Sequence, residues 1–177
     1  MNGNACRIAT LAGFVALSCG SLAVAAPPVA VGAASSLDRF KGLAGEWLAA
    51  EDSEMAKKGD LVARYSVTAG GSAVVETVFP GSAHEMTTVY HAEGPDVVLT
   101  HYCVEGNQPR MRAKDTQAAR VQFSYDGGTN IDPKRDRHMH SAWLEFLGKD
   151  ELRSEWTEEA DGKTVFVAKS HLVRKGR

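Results

Sequence analysis

The chain has 177 residues, the length of one domain on the usual scale of about 100–200 residues. With 44% apolar and 24% charged residues, it falls among ordinary globular proteins. A formal net charge of −2 removes any electrostatic reason to expect nucleic acid or an anionic membrane surface as a partner.

The first residues differ from the rest. Arg7 supplies an early positive charge, and Ile8 through Ala26 then run without one, ending in Ala23-Val24-Ala25-Ala26-Pro27-Pro28. A short basic start, an apolar stretch and an A-x-A site describe a secretory signal peptide, with cleavage expected after Ala25. The run is rich in Ala, Gly and Ser and stops at two prolines, unlike the roughly 20 strongly apolar residues of a spanning helix. The mature chain is therefore expected to carry no transmembrane segment. Ala16-Leu17-Ser18-Cys19-Gly20 loosely resembles a lipobox, which makes Cys19 a candidate lipid anchor, although Ala16 stands where Leu is preferred. Cys6 and Cys19 both fall in this export segment, so Cys103 remains alone in the mature chain and no internal disulfide is available.

Residues 26–35 read as a flexible spacer, and 36–177 as the folded domain. Ser35 and Ser36 are placed to cap a short helix over residues 37–43, with Asp38 in its first turn. Helical spacing then gives way to short period-two runs separated by turn residues. Leu61, Ala63, Tyr65 and Val67 alternate with polar neighbours before Gly70-Gly71. Met111 and Ala113 alternate with Arg110, Arg112 and Lys114, and Val121, Phe123 and Tyr125 alternate before Asp126-Gly127-Gly128, which reads as a turn. Further strands are expected over 46–52, 72–79, 85–92, 96–105, 139–147, 151–158 and 163–174.

About ten strands with short connections must pair antiparallel with their neighbours, as an up-and-down meander. An open sheet of that size leaves two exposed edges, whereas closure removes them. The expected fold is all-β: an antiparallel barrel preceded by a short helix, with room inside for one small ligand. A two-sheet sandwich is the rival architecture.

Gly45-Glu46-Trp47, following the short helix and opening the first strand, resembles the G-x-W element of lipocalins and their calycin relatives. The resemblance extends from Gly42 to Arg174. It implies a structural trio of Gly45, Trp47 and Arg174, with the guanidinium lying across the indole to tie the last strand to the first. The chain also resembles a group of exported lipocalin-like bacterial proteins. The similar segments are Leu99-Thr100-His101-Tyr102-Cys103, Asn107-Gln108-Pro109-Arg110-Met111 and His138-Met139-His140. That likeness implies fold and export and brings no activity with it.

Chemistry is sparse. His101 and Cys103 are two apart on an expected strand, as are His138 and His140, so each pair is expected to share a face. If the pairs converged, they would offer a zinc or copper site. His171 stands where small haem-binding barrels of the nitrobindin type place their ligand. The chain lacks that family's G-x-W-x-G-x-G-x-G opening, having Leu48-Ala49-Ala50-Glu51-Asp52, and a register with Arg174, Leu172 and Phe166 on one side turns His171 to the other. Ser82, His84 and Glu85 are neighbours on a turn rather than a triad, and no G-x-S-x-G elbow occurs.

The expected function is that of an exported binding protein, periplasmic or secreted, for a small, mostly apolar molecule. Its pocket is expected among Tyr65, Tyr90, His101, Cys103, Met111, Phe123 and Trp156. A metal- or haem-binding barrel using the two histidine-containing pairs is the alternative. An envelope scaffold anchored through Cys19 is a third. The sequence names no cofactor, and enzymatic activity is not expected.

Overall fold

The computed structural model describes residues 36–176. The expected signal peptide, Cys19 and the spacer lie outside them. The order is α1 (Asp38–Lys41), β1 (Gly45–Ala49), β2 (Leu61–Thr68), β3 (Ala73–Val78), β4 (Met86–Glu93), β5 (Asp96–Tyr102), β6 (Gln108–Ala113), β7 (Arg120–Thr129), β8 (His138–Phe146), β9 (Glu151–Ala160) and β10 (Lys163–Arg174). Each strand pairs antiparallel with the next, and β10 returns to β1, closing the barrel. The meander is the one expected, and the sandwich is excluded.

Because successive strands reverse direction, all connections fall at two ends. At one end lie α1 and the connections after β2, β4, β6 and β8. At the other lie residues 50–60, 79–85, 103–107, 130–137 and 161–162. The first end is plugged: the Phe40 ring stacks on Tyr90 at 5.2 Å and meets Phe123 and Phe146 edge-on at 5.9 and 5.7 Å. Leu37 and Leu43 are buried beside it. Arg39 fastens the plug, lying over the Phe146 ring at 4.1 Å and donating to the Thr116 and Ala118 carbonyls.

Trp47 and Arg174 are register partners, with the guanidinium carbon 4.4 Å from the indole centroid. The indole Nε1 donates to the Leu43 carbonyl at 2.7 Å. Arg174 donates to the Gly42, Ala44 and Lys149 carbonyls and to Asp150 Oδ1, at 2.7–3.2 Å. One side chain thus joins the helix, the first strand and the β8–β9 connection.

Several local expectations change. The helix is one turn, shorter than residues 37–43, and has no side-chain cap. Ser36 Oγ instead donates to the Asp96 carbonyl, so its hydroxyl ties the plug to β5. Asp126-Gly127-Gly128 is not a turn: β7 continues to Thr129. The glycines absorb a bulge opposite Pro109 and Met111, with Gly127 at φ +100°, and a Cβ on Gly128 would meet the Gln108 carbonyl at 2.7 Å. β1 stops at Ala49, whose N–H donates to the Asp60 carbonyl and whose carbonyl accepts from the Gly59 N–H. β5 stops at Tyr102, one residue before Cys103.

Candidate functional site

The interior is layered. Near α1 it is solid, filled by Trp47, Tyr65, Tyr90, Leu99, Met111, Phe123 and Leu144, all buried. Toward the other end it opens into a cavity of about 320 Å³. Its inner wall includes Val62, Ala63, Val78, Met139, Trp156 and Phe166, with Glu76 and His101 as polar members. The surface is therefore mainly apolar with two buried polar groups, the usual make-up of a small-molecule pocket.

The cavity reaches outward between the 50–60 connection, at Ser53, Met55 and Ala56, and the upper part of β10. That opening follows from strand lengths. β1 meets β10 only over Trp47–Ala49 and Leu172–Arg174, while β10 begins nine residues earlier, at Lys163. Above Leu172 the edge of β10 meets no strand, and the 50–60 connection lies beside it. His171 sits at this rim, its ring nitrogens 2.8 Å from Glu151 and 3.6 Å from Glu51.

The polar groups in and behind the cavity wall come from four neighbouring strands, β2 to β5. Tyr65 and Tyr90 donate to the two Glu76 carboxyl oxygens, each at 2.6 Å. Thr88 is the register partner of both Glu76 and His101, and its hydroxyl lies 2.9 Å from His101 Nδ1. Burial raises the Glu76 carboxyl above its ordinary value, opposed by the three hydroxyls. Burial, followed by the neighbouring Glu76, holds both tyrosines far above the ordinary phenol value, so they remain neutral donors. Burial also pushes His101 down to about 4, so the ring is neutral at physiological pH. The His101 ring reaches toward Trp156, 5.2 Å away on β9. Its Nε2 is buried and has no hydrogen-bond partner.

Of the seven pocket residues expected from sequence, His101 and Trp156 line the cavity. Tyr65 and Tyr90 stand behind its wall, reaching it through Glu76. Met111 and Phe123 belong to the solid core. Cys103 lies one residue past the end of β5, where its N–H donates to the Asn107 carbonyl, and it is not among the residues lining the cavity. It is half-buried, and burial raises its thiol. His138 and His140 are adjacent, with Nε2 and Nδ1 3.1 Å apart and Tyr125 stacked on His140 at 5.2 Å. They do not join His101 and Cys103. Among the described residues no three His, Cys, Asp or Glu side chains are grouped as a metal site would require.

No family model matches this chain, and no curated protein does. Function has to be argued from the cavity itself.

Sequence reasoning passed over Glu76 and Thr88. Glu76 lies in Val74-Val75-Glu76-Thr77-Val78, in phase with inward Val74 and Val78. A charged residue at an inward position of an apolar strand was the available signal, and Thr88 is likewise in phase with Tyr90.

Proposed function

We propose that this is an exported binding protein whose barrel takes up one small, mostly apolar molecule. The cavity of about 320 Å³ carries this reading: it is walled by apolar side chains and leads out past Met55. An interior meant only for stability gains from close packing, since each void forfeits dispersion contacts and burial free energy. Here the half next to α1 is filled and the half beside the 50–60 connection is not. Export rests on the A-x-A segment ending at Ala25, and the calycin reading on the Gly45–Trp47–Arg174 trio.

Two measurements test the proposal. Extraction of the natively produced protein followed by mass spectrometry is expected to find a bound small molecule. That molecule should be lost from an Ala168→Phe variant, in which the ring enters the cavity. An unaltered yield in that variant would place the molecule elsewhere. Cell fractionation with N-terminal sequencing is expected to give an envelope or secreted protein beginning at Ala26. A lipidated Cys19 would redirect the localisation to a membrane anchor.

A further inference from the structure

Ser154 and Ser170 are register partners on β9 and β10. Two residues to one side lie Leu152 and Leu172, in the core, and two residues to the other lie Trp156 and Ala168, on the cavity wall. Strand alternation therefore turns both serines inward, and both line the cavity. Unlike Glu76, Thr88 and His101, which are closed off from solvent, the two serines are only part-buried. Their hydroxyl oxygens lie 2.7 Å apart, within hydrogen-bond distance.

Two hydroxyls carry two hydrogens. The bond between them uses one, whichever serine donates it, and neither hydroxyl makes another hydrogen bond among the described residues. One O–H hydrogen is therefore free on a mainly apolar wall. Its place is also defined. Ser170 is the first inward residue beyond Ala49–Leu172, the last pair before β1 and β10 part. The hydroxyl pair thus stands at the inner edge of the opening, where solvent can satisfy the free hydrogen. An apolar molecule seated against the serines takes the place of that solvent, and the hydrogen loses a partner unless the molecule supplies one.

We infer that the molecule taken up carries an acceptor oxygen, held by the Ser154–Ser170 hydroxyl pair, with its apolar body among Trp156, Met139 and Phe166. The inference rests on the barrel being a small-molecule binder. It orients the guest as well as naming its class: the oxygen-bearing end stays beside the opening, and the hydrocarbon part fills the interior.

NMR titration of the purified ¹⁵N-labelled protein with acetophenone and α-methylstyrene tests this directly. The two compounds have nearly the same shape and differ in a C=O against a C=C group. The comparison is between wild type and the double variant Ser154→Ala/Ser170→Ala. Removing both hydroxyls together leaves no partner stranded, so the barrel is expected to stay folded. The quantity read is the ratio of the two dissociation constants, in which the greater hydrophobicity of the hydrocarbon cancels between proteins. In the double variant that ratio is expected to move about tenfold toward the hydrocarbon, the worth of about one hydrogen bond. In wild type, the amides that respond differently to the two compounds are expected to include Ser154 and Ser170. An unchanged ratio, or differing responses confined to strands other than β9 and β10, would overturn the inference. If both compounds bind with the same ratio in both proteins, the binding function stands and the oxygen anchor falls. If neither binds, both fall together.

Discussion

Gly45 has a backbone φ of +132°, and a Cβ there would meet Arg174 Nη1 at 3.0 Å. The glycine is required twice over, by the backbone and by the guanidinium packed against it. Gly45→Ala is expected to lower unfolding free energy by about 1–3 kcal/mol in urea titration, the usual cost of a strained backbone position. Arg174→Lys should also destabilise, by about 1–2 kcal/mol, although the charge is kept. An ammonium cannot span the Gly42, Ala44 and Lys149 carbonyls while lying over the indole. A wild-type urea midpoint in Arg174→Lys would show that the fork geometry is unimportant.

His101 makes a separate prediction at this scale. Its folded value of about 4 lies below the 6.5 of the unfolded chain, so the unfolded state binds the extra proton between those limits. The stability due to the neutral ring is complete above about pH 6.5 and is lost as pH falls toward 4. Its size is about 3 kcal/mol at 1.36 kcal/mol per pH unit. Glu76, raised by burial, acts in the opposite sense from its ordinary carboxylate value upward. The histidine contribution is therefore read as the difference between wild type and His101→Phe in urea midpoints from pH 4 to 7. A pH-independent difference would mean that the ring is not kept neutral by burial.

At the scale of elements, α1 is too short to be stable alone, since one turn carries the full nucleation cost. It is held by what it buries. Phe40 contacts Tyr90, Phe123 and Phe146, and Arg39 reaches the connection between β6 and β7. Phe40→Ala is expected to cost about 3–5 kcal/mol, as for other large-to-small core changes. A loss below 1 kcal/mol in thermal or urea unfolding would mean that the barrel closes without its plug.

For the whole molecule, closure is uneven. β9 and β10 are matched from Lys163–Ala160 to Val173–Glu151, whereas β1 and β10 share only the stretch from Trp47–Arg174 to Ala49–Leu172. This short seam is the ladder with least to lose on opening. Native-state hydrogen exchange should therefore be faster at Ala50 and Lys175, whose amides bond to His171 and Glu46 across it, than along the β9–β10 ladder. Arg174→Ala should accelerate those two amides selectively. Uniform acceleration around the barrel would show that Arg174 acts on global stability and does not pin the seam.

Strand order and the closed meander were legible because alternation such as Val121–Phe123 and Leu61–Ala63–Tyr65 is a local property of a half-buried strand, and short connections leave only adjacent pairing. The Trp47–Arg174 contact was legible through a known pattern. The cavity was not. Whether Tyr65, Tyr90, Met111 and Phe123 line a space or fill it depends on which layer of the barrel each reaches, and α1 takes up the space at their end. Alternation says which way a side chain points and nothing about what meets it from the opposite wall. Strand ends were also only partly legible. Gly127 and Gly128 suit a turn or a bulge equally well by residue type, and the pairing with Pro109 and Met111 chose the bulge.

The order of residues by itself determined the all-β class and the antiparallel order, since both depend on periodicity and chain connectivity, and the glycine, tryptophan and arginine that lock the ends were expected from their resemblance to a known pattern. Only the tertiary structure decided that Glu76, Thr88 and His101 meet side by side at a cavity. They come from three strands, and their meeting depends on register across β3, β4 and β5 and on burial from walls far away in the chain.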